Sequence, residues 1–131
     1  MIEHSHDKLK SAIFITFSGN CKKALTFYQT CFGGLLQFET FGKEIQGYPE
    51  MPVVSGSLVS DMITIHGSDL VHNEGRKLGN YISIFLLCKN VIDRKYFIKK
   101  LVSNNPFVHN KDDQKLIEVT DAFDVRWILG I

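Results

Sequence analysis

The sequence predicts an α+β fold, two paired βαβββ modules whose sheets form one curved, partly closed surface with the helices on its outer side. Three observations lead there. Short segments rich in β-branched and aromatic residues make up most of the chain. Two stretches carry helical periodicity instead. The order strand, helix, strand, strand, strand then runs twice, at a period of about half the chain.

The first ten residues, MIEHSHDKLK, read as a flexible tail, and 11–131 as a single domain. Within it, module one covers about 11–68 and module two about 79–131. SAIFITF (11–17) is the opening strand. Asn20 follows as a candidate helix N-cap, its side-chain oxygen accepting from the free amides of the first turn. Cys21, Ala24, Leu25, Tyr28 and Phe32 then fall on one helical face, and Gly33-Gly34 ends the helix with a left-handed conformation. LLQFETF (35–41), VVSGSLVS (53–60) and MITIHGS (62–68) are strands, the last two joined by a tight turn near Ser60-Asp61. Residues 69–79, DLVHNEGRKLG, are polar and glycine-punctuated, so they read as a loop.

The second module begins with the strand YISIFLLC (81–88) and a second candidate cap, Asn90. VIDRKYFIKKLV (91–102) is helical, with Asp93 early and Lys99-Lys100 late, as the helix dipole favours. Asn104-Asn105-Pro106 stops it. Short strands are expected at 107–109, 115–119 and 125–131. The modules can be laid on one another: Asn20 and Phe27 match Asn90 and Phe97, and upstream the "IF" pairs at 13–14 and 84–85 match if one residue of slippage is allowed.

Composition excludes several function classes. A net charge of +1 with scattered basic residues leaves no nucleic-acid footprint. The apolar runs are too short for a spanning helix, and the N-terminus lacks the basic-then-apolar order of a signal peptide. The expected location is therefore cytoplasmic, with no membrane partner. Cys21, Cys31 and Cys88 form no CxxC pair, so zinc and thioredoxin-like spacings are missing. Cys21 and Cys31 lie ten residues apart, about 15 Å along a helix, beyond disulfide reach. All three read as buried thiols. No GxSxG elbow, GxGxxG turn or P-loop is present.

FSGNCKKALTFYQTCFGG (17–34) resembles the F-x-G-N/D-x-x-x-A-x-x-F-Y-x-x-x-F-G-G signature of PhnB-like proteins. These belong to the vicinal-oxygen-chelate superfamily, with glyoxalase I, bleomycin-resistance proteins and extradiol dioxygenases. VTDAFDVRWIL (119–129) resembles the closing V-x-D-x-F-G-V-x-W-x-L, with Asp124 where the family has glycine. LVSDMITIHGSD (58–69) is similar to the middle hairpin that ends in an aspartate, here Asp69. The resemblance implies a glyoxalase/bleomycin-resistance fold, a concave binding sheet and a homodimer. It also implies a divalent metal held by His, Gln or Glu from four strands. Counting back seven residues from each cap puts the first-strand ligand positions on Ile13 and Ser83. The last-strand position falls on Ile128 and the remaining one on or near Thr64. Isoleucines cannot ligate, so no superfamily metal and no cofactor are expected.

The expected pocket is mostly apolar, through Ile13, Ile15, Phe17, Phe85 and Ile128. Thr64, His66, Ser83 and Arg126 supply its polar groups. In MITIH the isoleucines alternate with Thr64 and His66, which places the two polar residues on one face. His66 is then a rim histidine or an acid–base group, the candidate catalytic residue. In VRWILGI, Arg126 shares a face with Ile128 while Trp127 enters the core. The planar fork of Arg126 suits an anionic ligand; the alternative is a rim or dimer contact. His66, Asp69, His72 and Glu74 also gather within nine residues, a spacing from which a loop ion site can be drawn. His4 and His6 read as tail residues, and His109 as an exposed strand end. The sequence thus points to a small-molecule-binding protein of PhnB-like type without the metal. The alternative is a glyoxalase-like lyase, isomerase or dioxygenase with an atypical or absent metal. The phosphonate connection in the family's name has no support in these residues.

Overall fold

A computed structural model describes residues 11–40, 51–69, 79, 82–103 and 113–131. The chain divides into two compact units, Met1–Arg76 and Lys77–Ile131. In the first, β1 (Ile13–Phe17) leads into α1 (Cys21–Phe32), then β2 (Leu35–Thr40), β3 (Val53–Val59) and β4 (Thr64–Asp69). The strands lie in the order β1-β4-β3-β2, with β1 parallel to β4 and the other pairs antiparallel.

Alternation along each strand decides which face meets the helix. On β4, Ile65, Gly67 and Asp69 are buried while Thr64, His66 and Ser68 are not. A Cβ on Gly67 would lie 3.1 Å from the Phe17 ring and 3.2 Å from Cys21 Sγ, so this face packs on α1 and needs glycine for the close approach. Phe17, Leu25, Tyr28, Leu58 and Ile65 are all 0% exposed and form the core of the unit. Each large apolar side chain buried in this way contributes about 1.5–3 kcal/mol.

The ends of α1 depart from the expected design. Asn20 occupies the N-cap position without a side-chain cap hydrogen bond, and its Oδ1 is buried with no partner among the described residues. Asp69 does the work from β4. Its Oδ1 accepts from Gly19 N and Cys21 N, both at 2.9 Å, and its Oδ2 accepts from Val53 N at 2.8 Å. One carboxylate thus ties the β1–α1 turn, the helix start and the start of β3. It also places negative charge at a helix terminus whose first turn has no acidic residue. At the other end, Gly33 has φ +71° and ψ −170°, a region open to glycine alone rather than the left-handed helical one. Gly34, at φ +106°, could not carry a side chain, because a Cβ would lie 2.4 Å from Val59 O.

The second unit contains β5 (Ile84–Leu87), α2 (Val91–Leu101), β6 (Leu116–Thr120) and β7 (Arg126–Gly130). The sheet order is β5-β7-β6, with β5 parallel to β7. Asn90 caps α2 as expected: its side chain accepts from Asp93 N at 2.8 Å, and Asp93 Oδ2 accepts from Lys89 N at 3.0 Å. Asn90 thus caps the first turn, and Asp93 reaches back past it to the amide of the preceding residue, Lys89. Trp127 and Leu129, both 0% exposed, put one face of β7 into the core. Arg94 is buried on α2 at 1% exposure, and its Nη1 donates to Lys115 O at 3.2 Å. A charged side chain on the inner face of this helix was not expected from the sequence.

The turn before β7 is organised by Asp121, 5% exposed. Its Oδ1 accepts from Phe123 N at 2.8 Å and Val125 N at 3.1 Å, and its Oδ2 from Trp127 Nε1 at 2.9 Å. Asp124 has φ +66°, the left-handed conformation that explains glycine at this position in the resembling signature.

Among the described residues the strands pair within each unit, in one four-stranded and one three-stranded mixed sheet. The second unit therefore shows βαββ; the strand expected at 107–109 and the tail 1–10 lie outside the described residues. No helix among the described residues is long and apolar enough to cross a membrane.

Candidate ligand-binding faces

Each sheet has a face turned away from its helix. In the first unit, strand register aligns side chains across that face. Phe14 lies opposite His66, His66 opposite Ser57, and Ser57 opposite Gln37. With neighbouring strands about 4.8 Å apart, this row of four spans roughly 14 Å. Phe14 is 64% exposed and His66 is exposed as well. A parallel row, Thr64, Val59 and Leu35, runs beside it, and Thr16 pairs with Ser68 on its other side. The face therefore joins apolar surface to an imidazole, a hydroxyl and an amide at one level.

In the second unit the corresponding face carries Phe85, Ile128 and Glu118 in register, with Thr120 opposite Arg126. A Cβ on Gly130 would lie 3.0 Å from the Phe85 ring, so this ring lies over β7. Arg126 Nη2 forms an ion pair with Glu118 Oε2, diagonally across the two strands. Ser83 sits just before β5, half-buried and in alternation with Phe85.

The sequence-predicted residues divide accordingly. Thr64 and His66 share one helix-free face, and Arg126 and Ile128 share the other. Ile13, Ile15 and Phe17, all expected in the pocket, do not belong with them: they alternate onto the α1 side, and Phe14 takes the helix-free position. Counting from the cap asparagines produced the error. The slipped match of the "IF" pairs has the correct register, with Ile13 and Ile84 inward and Phe14 and Phe85 outward. Phe14, Ser57, Gln37 and Glu118 were missed. The alternation in KLIEV already puts Glu118 opposite Ile117 and Val119, but only strand pairing brings it to Arg126.

The donor set can be tested against the metal that the resemblance implies. The two parallel strand pairs read Phe14–His66 and Phe85–Ile128, so three of four aligned positions are apolar. Among the described residues no three His, Cys, Asp or Glu side chains gather. A lone imidazole beside a phenyl ring does not suit a divalent ion, and these residues do not fit the group. The loop quartet also separates. His66 and Asp69 point to opposite faces, and Asp69 is occupied by three backbone amides. His72 and Glu74 lie outside the described residues. A further groove of about 600 Å³ lies along α1, lined by Lys22, Lys23, Thr26, Thr40 and Met51. Those lining residues supply charge but no imidazole or carboxylate.

Cys21, although at a helix N-terminus, is not a nucleophile. Burial first, and the negative charge of Asp69 second, push its thiol up to about 12. Burial and Asp93 also raise Cys88, against a smaller opposing pull from Arg94. All three cysteines are buried thiols outside any disulfide. The ordinary thiol value is 9.0, so the unfolded chain loses the Cys21 proton at lower pH than the folded one. The associated stability is complete below pH 9.0 and is lost progressively as pH rises toward about 12. Iodoacetamide should therefore fail to label Cys21 in native protein at about pH 8, and Cys21→Ala should flatten the alkaline fall in urea midpoint. Labelling at the rate of a free thiol would contradict this reading.

No protein-family profile matches the chain, and no curated protein does. Solved structures do match. Protein PA1353 from Pseudomonas aeruginosa is 20% identical, with a TM-score of 0.77 over 93% of this chain and 96% of that one. A PhnB protein from Bacillus cereus is 19% identical, with a TM-score of 0.66 over 93% and 98%. A member of the glyoxalase/bleomycin-resistance/dioxygenase superfamily from Sphaerobacter thermophilus is 18% identical, with a TM-score of 0.52 over 94% and 98%. The chain has the glyoxalase/bleomycin-resistance fold of the vicinal-oxygen-chelate proteins.

Proposed function

We propose that the chain binds a small molecule on the helix-free faces of its sheets and does so without a divalent metal. The observation that carries this is the row Phe14–His66–Ser57–Gln37, in which an exposed aromatic ring stands beside three hydrogen-bonding groups of different kinds. Apolar surface with a few convergent polar groups is the usual make-up of a ligand site. The fold by itself does not choose a reaction, since one scaffold hosts many. The same row supports a second reading, in which His66 moves a proton on the bound molecule. Ser57, its direct neighbour in the row, is then placed to orient the imidazole. Homodimerisation and a cytoplasmic location complete the proposal; the resemblance to PhnB-like proteins supports the first.

Native mass spectrometry of gently purified protein tests it. A retained small molecule is expected, with His66→Ala and Phe14→Ala each weakening retention by about tenfold, equivalent to ~1.4 kcal/mol. Metal analysis should find less than stoichiometric divalent ion. Stoichiometric metal that disappears with His66→Ala would sink the metal-free part of the proposal.

A further inference from the structure

Arg126 has a half-filled recognition edge. The guanidinium is a planar fork in which Nε–H and one Nη2–H point the same way along a single edge. Nη2 contacts Glu118 Oε2. Nε, the other prong of that edge, is buried and has no partner among the described residues. Buried donors without acceptors are rare, and a carboxylate facing an arginine edge ordinarily takes both prongs. Strand register explains why Glu118 does not. Its direct partner on β7 is Ile128, so it reaches Arg126 only diagonally and delivers one oxygen.

The two side chains differ in freedom. Glu118 is 47% exposed and Arg126 28%. Arg126 is also held between Val125, whose amide is bonded to Asp121, and the fully buried Trp127. Glu118 is thus the member of the pair that can turn away, its carboxylate passing into water. Phe85 and Ile128, aligned beside the pair, provide an apolar wall.

We infer that the Nε–Nη2 edge of Arg126 is the docking point for a ligand oxyanion, a carboxylate or a phosphate-type group, and that Glu118 is the resident counter-ion which the ligand displaces. The inference rests on the small-molecule reading above and adds the chemical class of the ligand, a compact apolar body carrying one oxyanion. Glu118 also acts as a filter. An anion must fill both prongs to compete with it, so a bidentate oxyanion succeeds where chloride does not.

Inorganic phosphate is the probe, followed through the arginine Nε–H signals by nitrogen-15 NMR at constant ionic strength. Phosphate is expected to shift the Arg126 signal saturably and to bind Glu118→Gln at least about tenfold more tightly than the wild type. Chloride should leave the signal in place. Arg126→Lys keeps the charge but removes the fork, and phosphate binding, followed in this variant through the phosphorus-31 signal of the phosphate itself, should be lost. Its Trp127 emission and thermal midpoint, compared with wild type, show whether β7 remains in place. Glu118→Gln retains Arg126 and decides the matter independently. Equal phosphate affinity in wild type and Glu118→Gln overturns the inference. If a retained molecule is found by mass spectrometry while phosphate never moves the Arg126 signal, the edge fails and the small-molecule reading stands. If phosphate titrates Arg126 as expected but no molecule is retained, the edge stands and that reading fails.

Discussion

Asp69→Ala is expected to destabilise the first unit by about 4 kcal/mol, measured by urea denaturation followed by circular dichroism. The figure follows from what the carboxylate holds. It accepts from three backbone amides, Gly19, Cys21 and Val53, at 2.8–2.9 Å, in a site where Asp69 is 8% exposed. Hydrogen bonds to a charged acceptor contribute about 1.5–3 kcal/mol each, though not additively. Alanine removes all three and leaves amides buried without acceptors, the more costly half of the change. Asn20 makes no cap bond to the helix, so Asp69 is the side chain that accepts from the Cys21 amide at this terminus. Asp69→Asn keeps one acceptor oxygen but turns an NH₂ group toward a backbone donor. It should lose about half as much. Against a typical domain stability of about 5–15 kcal/mol, the alanine variant sits near the edge of folding. A loss below about 1 kcal/mol would show that the three bonds are exchanged for water at little cost.

Asp69 also shows what the sequence could and could not reveal. The end of MITIHGSD matched a hairpin signature, and the aspartate was visible in it. Its task was not, because the three amides lie 16 to 50 residues away in the chain. Asn20, by contrast, looked like a cap from local rules that hold at Asn90 and fail here, where a tertiary partner has taken the role. Element order was legible because periodicity is local: both helices and all seven strands among the described residues lie within three residues of their expected limits. Face assignment within a strand needs only alternation, so Thr64 with His66 and Arg126 with Ile128 were readable. Alignment between strands needs pairing. The one-residue error at Ile13 therefore exchanged a half-buried isoleucine on the α1 side for the exposed Phe14, since the side-chain period of a strand is two. Ser57 and Gln37 joined His66, and Glu118 joined Arg126, through registers that no local pattern contains.

The second large effect is expected in the other unit, at Asp121. Asp121→Ala should cost about 3 kcal/mol, because the side chain accepts from Phe123 N, Val125 N and the Trp127 indole at 5% exposure. The chain has a single tryptophan, so its emission reports this site alone. Loss of the indole partner should shift that emission even under conditions where the variant is still folded. Trp127→Phe removes the indole donor yet keeps most of the ring volume, and should cost less than Asp121→Ala. A double-mutant cycle between the two should return a coupling of about 1–2 kcal/mol; additive effects would mean that the indole bond contributes nothing. The consequence reaches the candidate ligand face. Thr120 and Arg126 form the register pair that closes the turn, with Asp121 N bonded to Val125 O directly inside it. A turn loosened by Asp121→Ala releases the strand position that aims Arg126 at Glu118. The Arg126 Nε–H signal should therefore broaden in Asp121→Ala, although Asp121 itself faces the core and touches no ligand. An unchanged Arg126 signal would show instead that β6 pairing alone fixes the arginine, and that the aspartate of the closing signature serves stability without reaching the site.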